Sequence, residues 1–187
     1  MRLIVLLTSL LAFPALATPS IQAGFSPEGS ARALVLEVIH QARRSIDMIG
    51  YSFQAADITA ALDEAARRGV EVRVVVDYKR NLNNKSQQAL EDAARHGVQV
   101  RTDAHYHLQH DKTLIADGET LETGSFNYAP SAETQNSENV LVIRHAPDIV
   151  SQYLAHWQSR WDQGVPFTPG RKQDGSPPAQ AGQTSRG

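Results

Sequence analysis

The run His110-Asp111-Lys112-Thr113-Leu114-Ile115-Ala116-Asp117-Gly118 carries an imidazole and an ammonium two positions apart, and Ser125 and Asn127 follow at the same spacing. Side chains two apart on a strand share a face. Lys112 to Ala116 is apolar and β-tolerant, and Thr120 to Thr123 reads as a returning strand. Asp117-Gly118 between them is a hairpin-turn dipeptide, because both residues accept the positive φ of tight turns. A two-residue loop at Asp117-Gly118 sets residue 112 opposite 123 and 110 opposite 125. A loop at Gly118-Glu119 sets 112 opposite 125 and 110 opposite 127. In either register, one face of one hairpin presents His110, Lys112, Ser125 and Asn127. That set suits a phosphate group: Lys, Ser and Asn donate to its oxygens, while His attacks phosphorus or carries a proton.

Two carboxylates belong with this group. Glu138 opens a strand that continues with apolar Val140 and Val142 at the same parity, and a carboxylate at the mouth of a core strand suits fixing the tautomer and orientation of His110. Asp117 has the opposite parity to His110 and Lys112, which points to a structural role at the turn. His105 and His107 lie just upstream at i, i+2. They lack an acidic or third His partner nearby, so no metal centre is expected.

The elements that must position these residues alternate between strand and helix. Strands are expected at Ile21 to Phe25, Ser45 to Phe53, Val70 to Asp77, Val98 to Arg101 and Glu138 to Arg144. The run VEVRVVVD reads as a strand covered on both faces. Helices are expected near Gly29 to Arg44, Ala56 to Gly69 with Asp57 as N-cap, Lys85 to His96, and Pro147 to Asp162 with Trp157 and Trp161 on its apolar side. This order predicts an α/β fold: a mixed, largely parallel sheet sandwiched between helices. The loop after Val70 to Asp77 carries Lys79, Arg80 and Lys85 among Asn81, Asn83 and Asn84. It sits at the carboxyl-end rim where α/β proteins bind ligands, and it suits backbone phosphates.

Composition sets the outer bounds. The chain has 187 residues, a formal net charge of -2 and no cysteine. Disulfides and thiol nucleophiles are excluded, and attraction for a polyanion must be local. Residues 1–17 read as a signal peptide: Arg2, an apolar run Leu3 to Phe13 too short to span a bilayer, and Ala15-Leu16-Ala17 at a small-x-small cleavage site. Residues 18–166 form one expected catalytic domain. Residues 167–187, rich in Pro, Gly, Gln and Ser, are expected to be a disordered tail.

His110, Lys112 and Asp117 match the H-x-K-x4-D motif of the phospholipase D superfamily, and Gly124-Ser125-x-Asn127 matches the G-S-x-N that follows it there. The continuation Asn136-Ser137-Glu138-Asn139-Val140-Leu141-Val142-Ile143 resembles the secreted, single-motif Nuc-type bacterial endonucleases of that superfamily, and the likeness runs from about Gln22 to Trp161. The resemblance implies a phospholipase D-like fold and a catalytic set of His110, Lys112, Asp117, Ser125, Asn127 and Glu138. It implies a metal-independent phosphodiesterase with no cofactor that hydrolyses DNA or RNA through a phosphohistidine intermediate. The motif occurs once, and His105-x-His107 lacks the Lys, so the resemblance further implies a homodimer sharing its active site on a two-fold axis. A periplasmic or secreted location without stable membrane association follows from leader cleavage. The competing reading is a lipid phosphodiesterase of the cardiolipin hydrolase kind, with the same hairpin chemistry.

Overall fold

The computed structural model describes residues 18–170; the leader expected at 1–17 and residues 171–187 of the expected tail lie outside them. The strands are β1 (Ser20–Ser26), β2 (Ser45–Gly50), β3 (Glu71–Asp77), β4 (Gln99–Asp103), β5 (Lys112–Ala116), β6 (Thr120–Gly124), β7 (Glu138–Arg144) and β8 (Val165–Pro166). The helices are α1 (Ser30–Gln41), α2 (Ala56–Arg67), α3 (Asn84–Arg95), α4 (Pro130–Thr134) and α5 (Pro147–Gln163), with a single 3-10 turn at Lys79–Asn81.

All eight strands join one mixed sheet in the order β1-β7-β6-β5-β2-β3-β4-β8. Between strands, parallel pairing is confined to β2-β3-β4, so the sheet is mixed as expected but mostly antiparallel rather than largely parallel. The hairpin β5-β6 is followed by β7 and then β1, all antiparallel, on one side of this unit, and β8 closes the other side. Because β5 runs against β2, Lys112 lies opposite Gly50. The carboxyl ends of β2, β3, β4 and β6 therefore meet the amino ends of β5 and β7 along one rim, which is where open α/β sheets place their ligands.

Residue parity divides the core in two. Ile46, Met48, Val72, Val74, Val76, Leu114, Val140 and Val142 pack against α1, α2 and α3. Ile49, Val75, Ile115 and Leu121 pack against Val150, Trp157 and Trp161 of α5. The unbroken β-branched run of β3 thus fills both faces of a central strand. Trp157 is fully buried, and its indole N–H donates to the Met48 carbonyl at 3.1 Å. The Arg73 guanidinium lies 4.4 Å from the Trp157 ring centroid and pairs with buried Asp47 at 2.7 Å. Burial pushes the Asp47 carboxyl up, and Arg73 offsets part of that. Among the described residues, no helix is long and apolar enough to cross a membrane.

Three local expectations need correction. The α2 N-cap is Ala55 and not Asp57; Asp57 sits in the first turn, where its carboxylate pairs with the Arg32 guanidinium from α1. Two of the three amides expected to suit phosphates in the basic loop, Asn81 and Asn83, are engaged within the fold instead. Asn81 is fully buried: its Oδ1 accepts from the Phe53 N–H, and its Nδ2 donates to the Tyr51 and Asp77 carbonyls. Asn83 caps α3 by accepting from the Ser86 N–H. Finally, the folded chain continues past residue 166. Phe167 is buried, and its N–H donates to the Val100 carbonyl, because an apolar ring beside β4 gains more from the core than from water.

Candidate active site

The hairpin adopts neither expected register. Thr113 pairs with Thr123 and Ala116 with Thr120, so Asp117, Gly118 and Glu119 all belong to the loop. Asp117 and Gly118 both take positive φ, at 58° and 68°, and the Glu119 N–H closes the turn on the Ala116 carbonyl at 3.0 Å. The reason is the Asp117 carboxylate, which accepts backbone N–H groups from Arg43, Arg44 and Ser45 in the α1–β2 connection. Burial pushes this carboxyl up, but the N–H donors and the Arg44 guanidinium outweigh it and hold it below the ordinary aspartate value. Asp117 is therefore a turn anchor at the far end of β5 from His110, away from the rim where the other expected site residues lie.

The one-residue shift ends β6 at Gly124 and leaves Ser125 to Asn127 beyond the ladder, at the rim. Gly124 is required there: a Cβ would lie 2.2 Å from the Asn139 carbonyl oxygen. This close passage joins Ser125 to the start of β7. The Ser125 N–H donates to the Asn139 carbonyl, and the Asn139 N–H donates to Ser125 Oγ, both at 3.0 Å. Ser125 Oγ donates to Glu138 Oε2 at 2.5 Å, and Asn136 Nδ2 donates to Oε1 at 2.9 Å. Both oxygens of Glu138 are thus engaged within the β6–β7 connection. The expectation that Glu138 orients His110 is not what the chain shows; its electrostatic partner is Lys112.

Lys112 is buried and His110 is exposed beside it. The ammonium donates to the His110 carbonyl at 2.7 Å and lies 3.1 Å from Nδ1 of its ring. Burial pushes the Lys112 pKa down, and the carboxylates of Glu138 and Asp111 offset part of this. Asn127 is half-buried, with a carboxamide oxygen that has no partner among the described residues. Lys112, Ser125, Asn127 and Glu138 thus gather at the rim with His110, and Asp117 does not.

The basic loop divides. The Arg80 guanidinium lies 5.9 Å from the Tyr51 ring centroid, and Tyr51 packs against the His110 ring at 4.4 Å. Lys79 is exposed on the same 3-10 turn. Lys85 instead lines a separate groove between α2 and α3 with Gln54, Thr59 and Asp63. His105 and His107 are exposed on the β4–β5 connection. Among the described residues, no cluster of three His, Asp or Glu is arranged to hold a metal ion.

Sequence reasoning missed Tyr51. Its ring touches His110, and its centroid is 5.3 Å from the Lys112 ammonium. A signal existed: Tyr51 is the first residue after a buried strand at the carboxyl rim. Asn136 and Asn139 were part of a motif but carried no assigned role.

Residues 35–161 match the family described as cardiolipin synthase, PLD-like domain. Phospholipase D of Rickettsia bellii is 34% identical over 136 residues, covering 73% of this chain and 66% of that protein. Human mitochondrial cardiolipin hydrolase is 33% identical over 155 residues, covering 80% of this chain and 60% of that one. The chain thus spans 66% and 60% of the length of these two relatives. The phospholipase D family member Nuc from Salmonella typhimurium superposes with a TM-score of 0.79 at 49% identity, covering 80% of this chain and 99% of that one. NucT from Helicobacter pylori, at 23% identity and a TM-score of 0.70, shares the fold. With His110 and Lys112 of the H-x-K-x4-D hairpin and Ser125 and Asn127 of the G-S-x-N segment at the carboxyl rim of such a sheet, the chain belongs to the phospholipase D superfamily of phosphodiesterases.

Proposed function

We propose that this chain is an exported, metal-independent phosphodiesterase that hydrolyses DNA or RNA with little sequence preference, and that it works as a homodimer with a shared active site. The observation that carries this reading is the exposed His110 imidazole held against the buried Lys112 ammonium, with Ser125 and Asn127 at the same rim. An imidazole nitrogen attacks phosphorus as the bond to the leaving oxygen breaks, and a second, protonated imidazole supplies that oxygen with its proton. Water then attacks the phosphohistidine and returns a proton to the second imidazole, and the P–N bond breaks. Lys112, Ser125 and Asn127 neutralise and orient the phosphate oxygens throughout. While Lys112 donates to Nδ1, the ring proton of a neutral His110 sits on Nε2. A phosphate that draws the ammonium away releases Nδ1, and Nε2 can attack once the ring proton has passed through solvent from Nε2 to Nδ1.

Among the described residues, the side-chain partners of His110 are Lys112 and Tyr51, and neither is a second imidazole. A two-fold partner supplies one. An apolar strip on β1 and β7 suits that partner: Ile21 is 66%, Phe25 53% and Leu141 38% exposed. The strip reaches Phe25 opposite Asn139, next to Glu138, so a two-fold contact over it draws both rims to the interface. Nucleic acid is favoured over lipid by the 49% identity to Nuc across nearly its whole length, with the Nuc-type motif, and by Arg80 beside the site. A lipid head group is the second reading, favoured by the relation to human mitochondrial cardiolipin hydrolase.

The test offers plasmid DNA, and separately cardiolipin vesicles, to the protein in EDTA. DNA should be cut; head-group release without DNA cleavage supports the lipid reading, and activity abolished by EDTA and restored by magnesium refutes the metal-independent one. His110→Asn should abolish turnover without unfolding the protein. On random re-association of wild-type and His110→Asn chains, activity should fall as the square of the wild-type fraction. A linear fall means that each chain carries a complete site.

A further inference from the structure

His110 does not belong to β5. Residues 108–111 carry no regular secondary structure, so no strand ladder holds the imidazole in place. Its neighbours do. On one side, the Gln109 N–H donates to Asp77 Oδ2 at 2.9 Å, and Asp77 Oδ1 takes the Arg80 N–H at 2.6 Å. On the other side, Asp111 Oδ2 receives Gln109 Nε2 at 3.0 Å and meets Nε2 of His156, from α5, at 3.1 Å.

Asp111 and Thr113 point to the α5 face of the sheet, opposite to Lys112. Together with Gln152, Tyr153 and His156 they line a cavity of about 300 Å³. Packing alone therefore leaves Asp111 room to move, and the hydrogen bonds set its position. Asp111 also helps Lys112 keep its charge. We propose that His156 is a positioning residue for this site: through Asp111 it fixes the irregular segment that carries His110. His156 touches neither the phosphate-facing groups nor the reacting atoms. This inference rests on the reading of His110 as the nucleophile.

The test compares His156→Ala, His156→Gln and Gln152→Ala. Gln at 156 retains an N–H donor for Asp111 without the imidazole. Gln152 lines the same cavity, but its Nε2 donates to the Asp148 carbonyl and not to Asp111. The assay follows hydrolysis of bis-p-nitrophenyl phosphate, with unfolding midpoints and the NMR resonance of the His110 Cε1–H measured on the same proteins. A displaced reacting group costs rate more than affinity, so His156→Ala should lower kcat about tenfold with KM nearly unchanged. It should also shift the His110 resonance. His156→Gln should recover most of the rate, and Gln152→Ala should behave as wild type. The proposal is overturned if His156→Ala leaves kcat and the resonance unchanged, or if Gln152→Ala produces the same loss. If the wild type does not hydrolyse the phosphodiester, the functional reading fails, and the His110 resonance then decides the positioning claim by itself.

Discussion

Glu122 offers a perturbation whose size can be worked from the structure. It lies on β6, fully buried beneath the rim, and accepts the Tyr128 hydroxyl at 2.8 Å through Oε2, while Oε1 has no partner among the described residues. Burial pushes its carboxyl from the ordinary value of 4.5 up to about 8, against the smaller opposing effect of the Tyr128 hydrogen bond. The folded protein therefore holds a proton on Glu122 that the unfolded chain releases above its ordinary glutamate range. With more protons bound in the folded state, stability is greatest below about pH 4.5 and is lost as pH rises through about 8. The window spans roughly 3.5 pH units at 1.36 kcal/mol each, a ceiling of about 5 kcal/mol, of which about 3 are spent by pH 7. Glu122→Gln keeps an acceptor for Tyr128 and has nothing to titrate. Urea unfolding of both proteins at half-unit steps from pH 4.5 to 9 measures the difference. Glu133, Asp47, Asp63 and Asp103 are also raised by burial, but they cancel in the comparison. The stability of Glu122→Gln relative to wild type should climb by about 1.4 kcal/mol per pH unit and level off near pH 8. A difference that stays flat from pH 5 to 8 would show that Glu122 titrates normally and refute the reasoning.

Two further outcomes follow from the site. Arg80→Ala should flatten the salt dependence of DNA binding by about 0.9 in the log–log slope, as expected for one lost phosphate contact, while Lys85→Ala, in its separate groove, should leave the slope unchanged. Filter binding across a salt series separates them, and equal effects would return the whole loop to the substrate path. Asp117→Asn, which tolerates the positive φ but gives up the carboxylate charge, should lower stability by about 1–2 kcal/mol at neutral pH with activity per folded molecule unchanged. Because the Asp117 pKa is depressed, that stability is present above the ordinary aspartate range and is lost as pH falls through the folded value. A loss of kcat without a loss of stability would restore Asp117 to the catalytic set.

The element order was legible because alternating apolar runs and helical periodicities dominate this chain; β7 falls on Glu138–Arg144 as expected, and the elements met at the carboxyl rim. Register was not legible. The two loops considered differ from the observed one by a single residue, and that residue is decided by Arg43, Arg44 and Ser45, some seventy positions away, whose N–H groups hold Asp117 in positive φ. A local pattern cannot contain that information. The slip matters for chemistry, because it moves Ser125 off the strand and onto Glu138, turning an expected His110 orienter into a partner of Ser125, Asn136 and Lys112. The same limit explains the missed contacts of His110. Periodicity describes residues inside ladders, and His110 sits just outside one, held by Gln109, Asp111 and a helix residue 46 positions later (156 against 110) that no spacing rule connects to it. A side chain placed beyond the end of a strand gains exposure at the cost of ladder support, so its geometry depends on side-chain contacts from other layers; if His110 is the proposed nucleophile, those contacts are where substitutions remote in sequence should alter the rate.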